Sequence, residues 1–465
     1  MTPSAVCELP AHDPSTNFGS APPLRAGYEA LATTARPSVK MQRMATEARP
    51  TVVPVPEPDL TRGEMIARAK ALIDMLRDDQ EEADKRGFYS EQLHEEFTKA
   101  GFYRMLQPRM FGGYEFDLAT YYRISIEIAR GGSAGIAWCL NLAHHHAYIV
   151  ASFWEEQAQR EIFGDGHFVA GARAGGTATA KAVDGGYVIN GRFRYSSGVP
   201  YSTHHLVAVK IDGAHPDGPP DGAACWACVP RDQYEILWDW GNYADLGLQA
   251  SGSNTVVMND AWIPKNWLVL DNFRTYDQTN GTPGTRLHEN PLYLGNHADM
   301  YHAGLVAPQV GTVRAALDEY AQTMRTTRNW IGPPILQMED RSHQTAWGLA
   351  QALCDAAEMI LIRSAEMHAE YSQRWADTGQ PFSTEDEVRL YSALQQAGRL
   401  AWRAIEQIWT NGPVDEAKAG ARMQRYYRDV SMYRMHVSAR PLNLAPRLAQ
   451  MHFGITPDMP SPNAG

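Results

Sequence analysis

Apolar positions along this chain recur first at helical spacing, then in short alternating runs, then at helical spacing again. Met65, Ala69, Leu72, Ile73 and Leu76 fall on one helical face, behind Thr61 as N-cap and Glu64 at the capping-box position. Further helices are predicted over about 89–100, ending at Gly101, over 118–129, ending before Gly131 and Gly132, and over 133–153. The last is apolar almost throughout and is interrupted only by His144, His145 and His146. An all-helical domain over 61–165 follows. Between 166 and 285 the period shortens. Gly186–Gly191, Phe193–Tyr195, Leu206–Ile211, Ala223–Pro230 and Thr255–Met258 are β-branched and aromatic runs separated by Gly, Pro, Asn and Asp, which predict a small β-barrel or sandwich. After an irregular stretch over 274–296, helical patterns resume at 302–327, 341–377, 384–409 and 422–452 and predict a C-terminal four-helix bundle over 286–465. Residues 1–60 are rich in Pro, Ala, Ser and Thr without periodicity and read as an extension.

Composition narrows the function classes. A chain of 465 residues has room for about three units and can bury a large cofactor. Its formal charge of -11, with no dense Lys/Arg run, argues against a nucleic-acid partner. No apolar run approaches the ~20 residues that span a bilayer, and Met1–Ala21 lacks signal-peptide character, so a cytoplasmic protein with no membrane partner is expected. Five scattered cysteines do not make a disulfide framework. Cys225 and Cys228 form a CxxC, but within an apolar run ending at Pro230 they read as core residues. Three consecutive histidines spread over about 200° of a helix, so they cannot share one metal ion, and no metal is expected.

Local motifs then point to a family. Ala100–Tyr114 passes from a helix end through an apolar turn to Pro108 and Gly112-Gly113. Gly191–Gly198 combines glycine, aromatic and hydroxyl residues, and Leu246–Asn254 is followed by Val256, Val257, Asp260, Ile263 and Pro264. Ala316–Glu319, Arg328, Gln344, Leu349-Ala350 and Arg425-Tyr-Tyr-Arg-Asp429 complete the series. In this order, over about 65–455, they resemble the acyl-CoA dehydrogenase superfamily, which implies an α+β multidomain fold of helical domain, β-domain and helical bundle, and a homotetramer. The resemblance implies a flavin beside Ser196, Ser197 and Gly198, with Ser197 in the hydroxyl position near N5, and Arg328 and Gln344 reaching the flavin of a neighbouring subunit. Arg325 rivals Arg328, and Ser-Ser-Gly taken alone reads as a turn between strands.

Dehydrogenases of this superfamily carry a carboxylate base just beyond the Arg-Asp motif. Val430–Ser438 contains no acid, and its nearest candidate is His436. Phe168–Thr177 also lacks the Thr-Glu-Pro of dehydrogenases. Both features are similar to the oxygenase components of two-component flavin-dependent monooxygenases. That resemblance implies reduced FMN or FAD, O2 as co-substrate through a C4a-hydroperoxyflavin, hydroxylation of an aromatic or polycyclic substrate, and a separate NAD(P)H:flavin reductase. No GxGxxG between strand and helix offers a nicotinamide site. A histidine suits the deprotonation of a phenol. His436 and one of the triplet, with His144 favoured, are the candidate catalytic residues, alongside Ser197. Trp138, His145, His146, Tyr195 and Trp240 are candidate pocket residues, although core packing would also account for the aromatic ones. Two alternatives stay open: an acyl-CoA dehydrogenase with a displaced base at Glu366, Glu370 or Asp415, and a non-catalytic protein that keeps the flavin fold.

Overall fold

The computed structural model describes residues 52–173, 178–216, 218–271, 281–294, 297–440 and 444–457. Most of the expected N-terminal extension, residues 174–177 and residues 272–280 lie outside them.

The capping box closes as the sequence requires: Glu64 N donates to Thr61 Oγ1 at 3.2 Å, and Thr61 N donates to the Glu64 carboxylate at 2.8 Å. It starts α1 (Arg62–Ala71), which leads into α2 (Ile73–Arg86). Ser90 caps α3 (Glu91–Ala100), Asp117 caps α4 (Leu118–Gly131), and α5 (Ala134–Phe153) and α6 (Glu156–Phe163) follow. Gly87 and Gly101 terminate α2 and α3 with φ of 92° and 81°, a backbone state that glycine adopts without strain. Every residue of α5 is buried, histidines included, so this helix has no solvent face. It packs on α4, on the later bundle helix α8 (His297–Thr326) and on strand β1 (Ala170–Arg173).

Among the described residues, eight strands form one mixed sheet. After β1 come β2 (Thr179–Val183), β3 (Gly186–Ser196), β4 (His204–Asp212), β5 (Ala224–Pro230), β6 (Glu235–Ile236), β7 (Asn254–Pro264) and β8 (Leu268–Leu270), in the order β6-β7-β3-β2-β4-β5-β8. β1 and β2 both run parallel to β4, pairing with its beginning and its end respectively. The two runs at 186–191 and 193–195 are one strand, β3, whose pairing with β7 shifts register after Ile189 and again after Phe193. The second shift leaves Tyr195 with φ 57° and half exposed. On β5, Cys225 packs into the core of the sheet, whereas Cys228, three residues on and hence on the other face, packs into the core shared with the helices. Both thiols are free and buried, and burial raises the pKa of each, that of Cys225 to about 12.

The short α7 (Pro283–His288) precedes α8, and the bundle continues with α9 (Arg341–Thr378), α10 (Thr384–Asn411) and α11 (Arg422–Tyr433). The single helix predicted over 422–452 does not form. α11 stops at Tyr433, a 3-10 turn spans Val437–Ala439, and α12 (Ala445–His452) starts afresh with Pro446 in its first turn. Pro441 and Pro446 both lack the N–H that a continuing helix would need, so apolar periodicity alone overextended the element. Among the described residues, no helix is long and apolar enough to cross a membrane.

Candidate functional site

At the end of β3 the chain turns through Gly198, with φ 72°, and the Gly198 N–H donates to the Ser251 carbonyl at 3.0 Å. A Cβ on Gly198 would come within 2.7 Å of Leu142 Cβ and 2.9 Å of the Cys139 carbonyl, so the turn lies directly on α5 and only glycine fits. Ser197 is held there from both sides. Its carbonyl accepts the Ala172 N–H at 3.2 Å, and its hydroxyl lies 2.7 Å from that of Ser253, which lies 2.6 Å from that of Ser251. Three hydroxyls thus form a chain along the turn. Ser251 and Ser253 were not singled out from the sequence; the Ser-Gly-Ser inside Leu246–Asn254 was the available signal.

Ser196, expected beside the cofactor, is fully buried and donates its hydroxyl to the Phe193 carbonyl at 3.1 Å, so its hydroxyl is engaged within its own strand. Its cross-strand partner Asn254 accepts the Trp240 N–H at 3.1 Å through Oδ1, while Asn254 Nδ2 is buried without an acceptor. Trp240 donates its indole N–H to the Leu248 carbonyl at 3.3 Å and meets the Tyr195 ring edge-on at 5.9 Å. Around Ser197 the donors are neutral hydroxyls and an amide. That chemistry suits the edge of an isoalloxazine, which gains negative charge on reduction.

The histidine triplet divides as helical geometry demands. His144 points away from this turn: its Nε2 lies 2.6 Å from the Phe102 carbonyl and its ring packs edge-on against Tyr121 at 4.9 Å. The α5 face that carries Cys139 and Leu142 beneath Gly198 is not the face that carries His144, the histidine favoured from the sequence. His146 Nδ1 lies 3.2 Å from the Ala170 carbonyl at the start of β1, and His146 Nε2 lies 3.2 Å from His145 Nδ1. A carbonyl only accepts, so His146 Nδ1 carries the proton and its Nε2 is the acceptor. His145 Nδ1 must then donate, which leaves His145 Nε2 as the basic nitrogen of that ring. Burial lowers the pKa of both His144 and His146 to about 4, so both rings are neutral at neutral pH. His145 and Trp138 each meet the Tyr301 ring edge-on, at 4.7 and 5.2 Å.

His436 is half-buried in the turn after α11, where its Nδ1 accepts the Ser438 N–H at 3.2 Å. Its link to the centre runs through α8. His302 lies 3.3 Å from the Tyr433 hydroxyl, and its pKa is pushed down to about 3 by burial and then by the charge of His436. His302 directly follows Tyr301, so one stretch of α8 carries the ring that meets Trp138 and His145 and the ring that faces Tyr433 and His436. Neither Tyr301 nor His302 was foreseen. Within an apolar helical pattern they carry no distinguishing signal.

The Arg-Asp motif is a junction between all three parts of the chain. Asp84 on α2 accepts Arg425 Nε at 2.9 Å and Arg428 Nη2 at 3.0 Å, with the Arg425 and Asp84 side chains almost fully buried. Asp429 accepts the Leu248 N–H at 2.7 Å and the Gly135 N–H at 3.2 Å, which ties α11 to the loop carrying Ser251 and Ser253 and to the first turn of α5. Desolvation and the nearby Asp84 carboxylate raise the Asp429 pKa to about 6.

Two expected cofactor contacts lie elsewhere on the chain. Arg328 is exposed, with Nη1 2.6 Å from the Pro334 carbonyl, and Gln344 donates to the Met338 carbonyl at 2.9 Å in the first turn of α9. The structure brings neither to Ser197 within one chain. Arg325 instead borders a cleft with Arg130 and Asp318. The displaced-base candidates are surface groups in ion pairs: Glu366 and Glu370 lie 3.2 and 2.7 Å from Arg363, and Asp415 lies 2.6 Å from Lys418. Among the described residues, no group of three or more His, Cys, Asp or Glu is placed to hold a metal ion.

Residues 303–441 match the family model of the acyl-CoA dehydrogenase C-terminal domain. The chain is 26% identical over 380 residues to the flavin-dependent monooxygenase oxygenase subunit HsaA of Rhodococcus jostii, covering 80% of this chain and 94% of the relative. It is likewise 26% identical over 372 residues to the oxygenase component of the FADH2-dependent resorcinol hydroxylase of a Rhizobium species, covering 77% and 86%. Among solved structures, XiaF from a Streptomyces species in complex with FADH2 and glycerol superposes with a TM-score of 0.76 at 19% identity, covering 86% of this chain and 97% of that one.

Proposed function

We infer that this chain, a flavin-dependent monooxygenase of the acyl-CoA dehydrogenase fold, is the oxygenase component of a two-component system that hydroxylates an aromatic substrate. The observation that carries the reading is the pairing of a neutral-donor turn at Ser197 with a segment beyond the Arg-Asp motif that offers His436 where a dehydrogenase would need a carboxylate. When bound, the reduced flavin would supply the two electrons that activate O2, one atom of which enters the product while the other leaves as water. The chain's own residues do the rest. Ser197, oriented by Ser253 and Ser251, presents a hydroxyl to the flavin edge, and Asn254 Nδ2 adds an uncommitted amide donor on the adjoining strand. Arg328 and Gln344 act on the flavin of a neighbouring copy within a homotetramer. The uniformly buried α5 keeps water from the reacting face.

His145 Nε2 takes the phenolic proton, which makes the carbon ortho to the oxygen nucleophilic. The positive charge so formed is delocalised through His145 Nδ1–H to His146 and on to the Ala170 carbonyl. His436 orients the substrate oxygen from the α11 side, and Trp138 and Tyr301 wall the ring. With no nicotinamide motif on this chain, a separate NAD(P)H:flavin reductase delivers the reduced flavin.

The test supplies chemically reduced FMN or FAD, labelled O2 and a panel of phenols to the purified protein. One labelled oxygen in a hydroxylated product is expected. Absence of label in any product, together with bleaching of bound flavin by an acyl-CoA, would overturn the reading in favour of a dehydrogenase.

A further inference from the structure

A second concentration of chemistry lies beyond the flavin side of α11. Gly398, Arg399 and Trp402 on α10, Tyr433 and Arg434 at the end of α11, and Arg440 after the 3-10 turn line a cleft of about 210 Å³. The Arg434 guanidinium lies over the Trp402 ring, 3.4 Å from its centroid, and pairs with Glu406 at 3.7 Å. Arg399 and Arg440 have no carboxylate partner among the described residues. The Trp402 indole N–H is buried and lacks an acceptor. On a chain with a formal charge of -11, a cleft lined by three arginines, Arg399 and Arg440 exposed and Arg434 lying over Trp402, is a local positive focus.

The backbone around the cleft is fixed. Gln395 Nε2 donates to the Ser438 carbonyl at 2.8 Å and the Arg440 carbonyl at 3.0 Å, and Tyr433 is buried against Gly398. A pre-formed wall of this kind spends little ordering entropy on a ligand. Guanidinium forks match carboxylate geometry in a way that ammonium groups do not. An apolar cavity of ~150 Å³ is enough to admit benzene, so the cleft has room for a single substituted ring.

We propose that this cleft is a binding site for a one-ring aromatic carboxylate, with Arg399 and Arg440 taking the carboxylate and the ring packing on the Arg434 guanidinium that covers Trp402. It is separate from the flavin turn and needs no flavin to be filled. It lies on the same stretch of chain as His436, which falls between Arg434 and Arg440, so occupancy bears directly on where His436 is held. The proposal stands whether or not the chain proves to be an oxygenase, because its test measures binding alone.

Titration of the flavin-free full-length protein with benzoate, followed by tryptophan fluorescence and by calorimetry, should show one saturable site that weakens about tenfold or more in R399A/R440A. Unchanged thermal melting and far-UV circular dichroism would show that the variant folds. Absence of saturable binding up to millimolar benzoate, or equal binding by the double variant, would overturn the proposal. Inorganic phosphate is the second arm. Displacement of benzoate at similar concentrations would mean a simple oxyanion site and would defeat the aromatic assignment, whereas failure of phosphate to compete would support it.

Discussion

The body of α11 and the turn that follows it differ sharply. Arg425 and Asp429 are almost wholly buried and bridge α2, α5 and the loop before β7. Just past Tyr433 the picture reverses: Arg434 is exposed, Met435 is 68% exposed and His436 is half-buried. The buried part fixes the relation between the helices and the serine turn. The part beyond it presents groups to small molecules. A buried ion-pair network gives a fixed geometry at a desolvation cost, while the turn beyond it is held by neutral hydrogen bonds from Gln395 to the Ser438 and Arg440 carbonyls and leaves its charged side chains in solvent. The site is therefore built by one half of this region and addressed by the other.

The largest expected effect breaks the anchored half. Arg425→Ala leaves Asp84 buried with only the Arg428 contact and should cost about 3–5 kcal/mol, the usual penalty for an uncompensated buried charge. Thermal melting and denaturant titration measure it. Removing the exposed guanidinium in Arg434→Ala should change the melting temperature little. Equal losses in the two variants would erase the distinction between the halves.

The histidines on α5 sharpen the comparison next. His145→Gln should lower kcat for hydroxylation about 100-fold or more, the span typical of a lost general base. His144→Gln perturbs the Phe102 contact and should appear mainly as lost stability, with turnover kept in the fraction that folds. A His144 variant that folds normally but does not turn over would make His144, rather than His145, the catalytic histidine of the triplet.

Buried imidazoles also set the response to acid. His144, His146 and His368 are pushed down to about 4, and His205 and His302 to about 3, each by burial first. Their unfolded values lie near 6.5, so the stability they contribute is fully present above about 6.5 and is lost as pH falls toward 4. Asp429 runs the other way. With its folded value raised to about 6, its contribution is present at low pH and lost as pH rises through 6. Five groups oppose one, so stability, and with it the melting temperature, should fall steadily below pH 6.5, by up to about 1.4 kcal/mol per histidine for each pH unit. A flat profile between pH 7 and pH 5 would mean that these rings are not buried as neutral species.

Much of this architecture was legible before any coordinates. Capping residues, terminating glycines and the change of period mark the helices and strands, because each is a local signal with a local cause. The segments at Gly191–Gly198 and Arg425–Asp429 were legible as motifs, but their partners were not. That Asp429 would hold Gly135 and Leu248, or that Ser197 would rest on Ser253, depends on contacts between residues far apart in sequence. The triplet shows the limit most clearly. Helical geometry says that His144, His145 and His146 must diverge, but which of them faces β1 is decided by how α5 rolls against β1 and α8. The break after Tyr433 was obscured for the opposite reason: apolar periodicity continued through a segment whose prolines do not permit a helix.

The smallest effect separates two adjacent residues. Ser196 and Ser197 are indistinguishable by type, but one donates into its own strand and the other joins the chain of hydroxyls at Ser253. Ser196→Ala removes a local bond at a fully buried position and should cost about 1 kcal/mol of stability, with no change in flavin affinity. Ser197→Ala removes the hydroxyl proposed to meet the cofactor and should weaken binding of reduced flavin about fivefold, roughly 1 kcal/mol, with little change in melting temperature. Ser253→Ala decides whether the chain of hydroxyls matters, because it leaves Ser197 in place but lets its hydroxyl rotate. An intermediate loss of flavin affinity makes Ser253 a positioning residue. An affinity equal to that of the unsubstituted protein means that the turn through Gly198 alone sets the hydroxyl, and that the anchoring passed from Asp429 to this loop ends at the backbone.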